Sequence, residues 1–239
     1  MNRQTLKTLE DCYNQTSAGA EVIDWHEVDL ATNWQPELLS DRCLRSVGRE
    51  QADQGNYSDA IALLSHLIDR HPDNAIDYNN RGLVYFQSGQ LRSAIADYDK
   101  AIQLNPQLAS AYNNRANFYA AGGHLTAALF DYDRALDLNP SYVRGWINRG
   151  ITLRDLGRYE EAIENFDVAA VLGQLQGNIY AERGRTYHLW GDWNLAIADY
   201  QRALTYLNRR QVPSSPLTNS RLRLQVENWL SQLLSPLSE

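Results

Sequence analysis

The chain has 239 residues, 44% of them hydrophobic and 21% charged, with 29 acidic side chains against 22 basic ones and a formal net charge of -7. That balance belongs to an ordinary globular chain, no apolar run reaches the roughly 18 residues of a membrane-spanning helix, and the acidic excess argues against general affinity for nucleic-acid phosphates. The opening MNRQTLKTLEDCYNQ lacks the apolar stretch of a secretory signal, and Cys12 and Cys43 are too few for a disulfide framework, so a reducing, cytoplasmic setting is expected.

Residues 1–40 lie outside any periodicity, yet Leu6, Leu9, Tyr13, Val22, Ile23, Trp25, Val28, Leu30 and Trp34 make them too apolar for a free tail. They are expected to cap the element that follows. An alternative is that the acidic stretch from Glu21 to Trp34 lies in the chain's own groove and competes with partners.

From residue 41 a repeat sets in. Gly55, Gly89, Gly123, Gly157 and Gly191 recur at intervals of 34 residues, and Ala60, Ala94, Ala128, Ala162 and Ala196 keep the same register. A fixed period of this length marks stacked supersecondary units that bury a core only against their neighbours. The units are 41–74, 75–108, 109–142, 143–176 and 177–210, each predicted to be two antiparallel helices. The eighth position of each unit is small (Gly48, Gly82, Ala116, Gly150, Gly184), which lets the two helix axes approach closely. The glycine ladder falls just past the first helix, where a left-handed residue ends the helix without strain. Pro72, Pro106 and Pro140 close the second helices. Gln174 and Asn208 replace them in the last two units, so longer or less sharply ended second helices are expected there, with Gly173 available as a stop.

Arg81, Arg115, Arg149 and Arg183 recur at the seventh position, facing Asp97, Asp131, Asn165 and Asp199 on the second helices, with Asp99, Asp133 and Asp167 two residues further on. A buried guanidinium needs an acceptor, so these form structural ion pairs within or between repeats. Beyond the array, Pro213-Ser-Ser-Pro216 is a linker. Leu222, Val226, Trp229, Leu230 and Leu233 share one face of a helix over 217–235. That helix is expected to cap the last repeat; the alternative is dimerisation through Trp229 and the Leu233, Leu234, Leu237 end.

The aromatic, small, glycine and proline positions of residues 41–210 resemble the tetratricopeptide repeat (TPR) family. The first unit fits least well, with Leu44, Val47, Gln51 and Leu64 where later units carry Tyr, Arg, Tyr and Tyr. The resemblance implies an all-α, right-handed superhelical α-solenoid with an N-terminal extension and a C-terminal capping helix, and a concave groove that takes a peptide. The Asn-Arg-Gly and Asp-Tyr-Asp phrasing is also similar to repeat proteins common in bacteria and photosynthetic lineages, some of which assist assembly of membrane complexes.

On the groove-facing positions of the first helices, Asn80, Asn114 and Asn148 form a column that Glu182 ends, with Asn79, Asn113, Asn117 and Asn178 beside it. An amide offers donors and an acceptor, so such a column pairs with an extended main chain whatever its side chains. This resembles the asparagine ladder with which some family members hold peptides. Arg45, Arg49, Arg144, Arg154 and Arg185, joined by Arg42, make the groove less acidic than the rest, which favours a partner with carboxylate groups. The family's carboxylate clamp is not expected: one register gives Arg45, Arg49, Asn80, Ser110 and Asn114, the other Asn113, Asn117, Asn148, Asn178 and Glu182, and neither has the cations that bidentate recognition needs. His26, His66, His71, His124 and His188 lack metal-ligand spacing, and no phosphate loop or nucleophile motif occurs.

The expected function is therefore a non-catalytic adaptor or assembly factor, free of cofactor and metal, that binds a peptide segment of a protein partner, monomeric or dimeric through its last helix. The alternatives are a scaffold acting through convex or terminal surfaces with self-association and, from a different class, a nucleic-acid binder or an enzyme.

Overall fold

The computed structural model describes residues 5, 7–9, 39–208 and 216–234, and all regular structure among them is helical. In chain order the helices are α1 (Asp41–Asp53), α2 (Tyr57–Arg70), α3 (Ala75–Gln87), α4 (Leu91–Leu104), α5 (Ala109–Ala121), α6 (Leu125–Leu138), α7 (Val143–Asp155), α8 (Tyr159–Val171), α9 (Gln176–Trp190), α10 (Trp193–Leu207) and α11 (Pro216–Leu234). They group into two compact units, residues 1–118 and 119–239.

In the first unit α1 packs on α2, α2 on α3 and α3 on α4. Ser40 caps α1 by accepting from the Cys43 N–H, and Asn74 caps α3 by accepting from the Ile76 N–H, as short polar side chains do at helix starts. The core gathers Leu44, Val47, Leu63, Leu64 and Leu67. Leu9 joins it fully buried, and the Thr5 hydroxyl lies 2.7 Å from Gln51 Oε1 and 2.8 Å from Asp59 Oδ2. The described part of the N-terminal segment thus covers the first hairpin; the stretch from Glu21 to Trp34 lies outside the described residues.

In the second unit each helix packs on the next from α6 to α11, α7 also touches α9, and α11 reaches both α10 and α9. Val226 is fully buried on α11, with Leu222, Trp229, Leu230 and Leu233 packed against Tyr200 and Ala203, so the amphipathic face closes the last repeat. Leu237 lies outside the described residues.

All five ladder glycines have φ between +76° and +94°, and Gly173 joins them at +77°. Every alanine of the parallel ladder is fully buried. The reason for the small eighth position is visible at Gly82, where an added Cβ would sit 2.9 Å from two ring carbons of Tyr98; Gly150 meets Phe166 and Gly184 meets Tyr200 at the same distance. The prolines follow α2, α4 and α6 as expected. Without one, α10 does extend to 15 residues, but α8 stops at 13 because Gly173 ends it. The return to α9 then runs through Leu175, whose φ of +56° is left-handed and strained for a side chain with a Cβ.

The low cysteine count does not mean free thiols. Cys43 is 1% exposed and disulfide-bonded; Cys12 lies outside the described residues. Disulfides are rare in a reducing cytosol, so the cysteines give no support to that setting.

Candidate functional site

The arginine column forms part of the scaffold. Arg81 grips Asp97 with two bonds of 2.7 and 2.9 Å and donates to Ser65 at 3.0 Å. Arg115 reaches Asp99 at 2.7 Å; Arg149 reaches Asp133 at 2.7 Å and the Asn165 amide oxygen at 3.0 Å. Arg183 binds Asp199 bidentately and also pairs with Asp167. Each guanidinium therefore ties a first helix to the preceding hairpin, and in Arg81, Arg149 and Arg183 to its own second helix as well. Tyr78 and Tyr85 flank Arg81, and Tyr180 lies 5.2 Å from Arg183, adding cation–π contact. The Asp199 hydrogen bonds hold Arg183 well above the ordinary arginine range against the opposing effect of burial. None of these four is available to a ligand.

On the first helices, none of the residues at positions two, six, nine and thirteen of the repeat is buried on α1, α3, α5, α7 or α9. Position five is different. Asn79 and Asn113 are 5% and 3% exposed, turned into the layer between neighbouring first helices instead of onto the open face. Asn114 donates to Asn79 Oδ1 at 3.0 Å, while Asn113 lies 3.4 Å from Asn114 Oδ1. Part of the expected amide ladder is thus spent on joining α3 to α5, a junction that Phe86 and Phe118 reinforce edge to face at 6.0 Å. Asn80 is half-buried and makes no hydrogen bond among the described residues; Asn148, at the same position of α7, and Asn117, at the ninth position of α5, are half-buried.

The cations sort similarly. Arg45 holds Asp77 through two 2.7 Å bonds; the Asp77 side chain is fully buried, and its bonds to Arg45 raise the arginine pKa. Arg154 donates to Glu182 at 2.6 Å and to Asp155 at 3.2 Å. Arg185 lies 5.2 Å above the Trp229 ring and 3.4 Å from His188 Nδ1, so the capping helix occupies it. His188 in turn sits 3.2 Å from the Tyr200 hydroxyl; burial, then Arg185, depress its pKa. Burial pushes Tyr200 up to about 12. Arg49 and Arg144, together with Arg42, are exposed and make no ion pair among the described residues. In the first unit the open face therefore carries Arg42 and Arg49 beside Asn80, Asn114 and Asn117, and in the second Arg144 beside Asn148.

One cluster escaped sequence reasoning. Asp41 binds Arg70 at 3.1 Å and His71 at 2.7 Å beside the Arg45–Asp77 pair. Burial alone would raise its carboxyl, but Arg70, His71 and Arg45 outweigh that and hold it below the usual range. A basin of about 710 Å³ opens there, lined by Asp41, Arg45, His71, Asp73 and Asn105 among others. Its sequence signal was charge at both ends of the first repeat, Asp41 at the start and Arg70 and His71 near the end. No described helix is long and apolar enough to cross a membrane, and no group of three metal-binding side chains occurs among the described residues.

Residues 82–123 match a family model described as TPR repeat, and residues 109–142 and 131–164 match two described as Tetratricopeptide repeat. No curated protein matches the sequence. Among solved structures the chain is similar to TTC0263, a thermophilic TPR protein of Thermus thermophilus, at 20% identity and TM-score 0.67, covering 80% of this chain and 99% of that one. A MamA crystal structure aligns at 22% identity and TM-score 0.56, covering 66% of this chain and 92% of that one. The RS-1 MamA double mutant aligns at 15% and 0.57, covering 69% and 93%. At these identities the likeness establishes the all-α repeat fold.

Proposed function

The chain is a tetratricopeptide repeat protein, and from that premise we propose that it is a non-catalytic adaptor or assembly factor that holds an extended peptide segment of a partner protein against the open face of its first helices. The observation that carries this reading is the division of labour among its polar side chains. Every arginine at the seventh position is consumed by the scaffold, whereas the sixth-position amides Asn80, Asn114 and Asn148 stay partly exposed and Arg42, Arg49 and Arg144 make no ion pair among the described residues. Asn80 would pair with main chain, with Asn148 at the equivalent position of α7, and Asn114 retains one N–H beyond the one it gives to Asn79. Arg49 and Arg144 would select carboxylates, mainly through encounter rate and orientation. The bound state needs no buried pocket, since an extended chain contributes its own donors and acceptors.

Affinity capture from an extract of the source cells, wild type beside the triple Asn80→Ala, Asn114→Ala, Asn148→Ala variant, tests this. Specific proteins lost only from the variant's catch support the open face; identical catches contradict it. The second reading, a scaffold using second-helix surfaces, draws on Phe130, Val168 and Val171, which are 74%, 40% and 87% exposed.

A further inference from the structure

The second unit exposes an aromatic edge that the proposed peptide site does not use. Trp190 closes α9 and Trp193 opens α10, on either side of the Gly191-Asp192 turn, and they are 47% and 62% exposed. Tyr159, at the start of α8, sets its ring 6.4 Å from Trp190 at an interplanar angle of 31°. A shallow cavity of about 180 Å³ runs along Arg158, Tyr159, Glu160, Glu161 and Trp190, and a second of about 430 Å³ lies against Trp190, Asp192, Trp193 and Asn194. Helix packing does not explain two tryptophans left this open, because turns elsewhere in the array close with smaller or less exposed side chains. Contiguous apolar surface of this kind marks an interaction site.

The charge around it says what would dock. Glu160 and Asp192 are exposed and make no ion pair among the described residues, while Asp192 also caps α10 through the Leu195 N–H at 3.1 Å. Arg158, the one basic residue lining either cavity, is neutralised by a bidentate pair with Glu161. The edge is thus two indole rings and a phenol ring with uncompensated carboxylates beside them. Ring faces attract cations, with tryptophan the strongest, and a guanidinium stacks on them while donating to a nearby carboxylate. An anionic lipid surface would be repelled by the same carboxylates. The geometry points to a docking site for a basic segment of a partner protein, one arginine of which lies on Trp190 and a second on Trp193, with Glu160 and Asp192 taking their outer N–H groups.

The test uses the full chain and a fluorescein-labelled ten-residue peptide of three arginines spaced by Gly-Ser, with its glutamate counterpart and neutral-lipid vesicles as alternatives. Fluorescence anisotropy is expected to show binding of the arginine peptide only. That binding should fall roughly tenfold in Trp190→Ala/Trp193→Ala and several-fold, with a shallower salt dependence, in Glu160→Gln/Asp192→Asn, where asparagine keeps the cap. The Asn80, Asn114, Asn148 triple alanine variant should bind it as wild type does, which separates this edge from the peptide site proposed above. Far-UV circular dichroism checks that each variant is folded, and the charge variant stands as the test should the tryptophan variant unfold. Absence of binding by wild type, binding by both edge variants as tight as that of wild type, or tryptophan-dependent binding to the vesicles in place of the peptide would overturn the proposal.

Discussion

Substituting alanine for glycine at the eighth repeat position should change sign between the first and second repeats, although both glycines fill the same repeat position. At Gly48 an added Cβ meets its nearest neighbour, Leu64 Cγ, at 3.6 Å, an ordinary contact; at Gly82 it meets Tyr98 Cδ1 and Cε1 at 2.9 Å and Asp97 Cβ at 3.2 Å. Tyr98 is fully buried and Asp97 is pinned by Arg81, so neither can step aside. Replacing a mid-helix glycine gains about 1 kcal/mol of helix propensity, and forcing a methyl into a filled interior costs about 1–3 kcal/mol. Gly48→Ala should therefore raise stability by up to about 1 kcal/mol, and Gly82→Ala should lower it by up to about 2 kcal/mol. Urea unfolding followed at 222 nm, with hydrogen exchange to place the effect in α3 and α4, measures both. Adding Tyr98→Leu, which copies Leu64, should remove most of the Gly82→Ala penalty. Equal effects at the two glycines, or no rescue, would refute the reasoning.

Arg183→Met should cost about 3 kcal/mol because it leaves Asp199, whose side chain is 3% exposed, with the 3.3 Å contact of the exposed Arg202 in place of a bidentate pair, whereas Arg149→Met, facing the half-exposed Asp133 and the neutral Asn165, should cost about 1 kcal/mol; thermal melts of the two compare directly. Raised pKa values favour the folded state below the unfolded tyrosine value, so the stability held by Tyr200 should be full below pH 10 and lost between pH 10 and about 12, read as unfolding that tracks tyrosinate absorbance and is blunted in Tyr200→Phe. His188, with its pKa lowered, favours folding above its unfolded value, so its contribution should be full above pH 6.5 and fade as pH falls below it toward the lowered folded value; His188→Gln should flatten that part of a stability profile. Reduction with dithiothreitol, or Cys43→Ser, should lower stability by about 2–4 kcal/mol, and an unchanged melting temperature would exclude the bond.

The repeat fold was legible because its constraints are local and repeated. Left-handed turns select glycine, axis contact selects Gly82, Gly150 and Gly184, and the paired charges of Arg81, Arg115, Arg149 and Arg183 keep one register. The open face was less legible, since side chains that share a helical face divide between exposed and inter-helix positions by a fraction of a turn. Asn79 and Asn80 are neighbours in sequence, yet the first is buried against α5 and the second stays partly open. Arg45 and Arg154 could not be told from Arg49 and Arg144, because their acceptors, Asp77 and Glu182, come from the following repeat. The capping helix covers Arg185 through Trp229, a contact set by how α11 docks and by nothing in the repeat pattern itself.

A photocrosslinking amino acid placed in turn at Asn80, Asn114 and Asn148, and for comparison at Phe130 on α6, would identify the face that meets the partner. The account predicts partner adducts from the three first-helix positions, mapping to an extended segment rich in aspartate or glutamate, and none from position 130. Adducts from position 130 alone would contradict it.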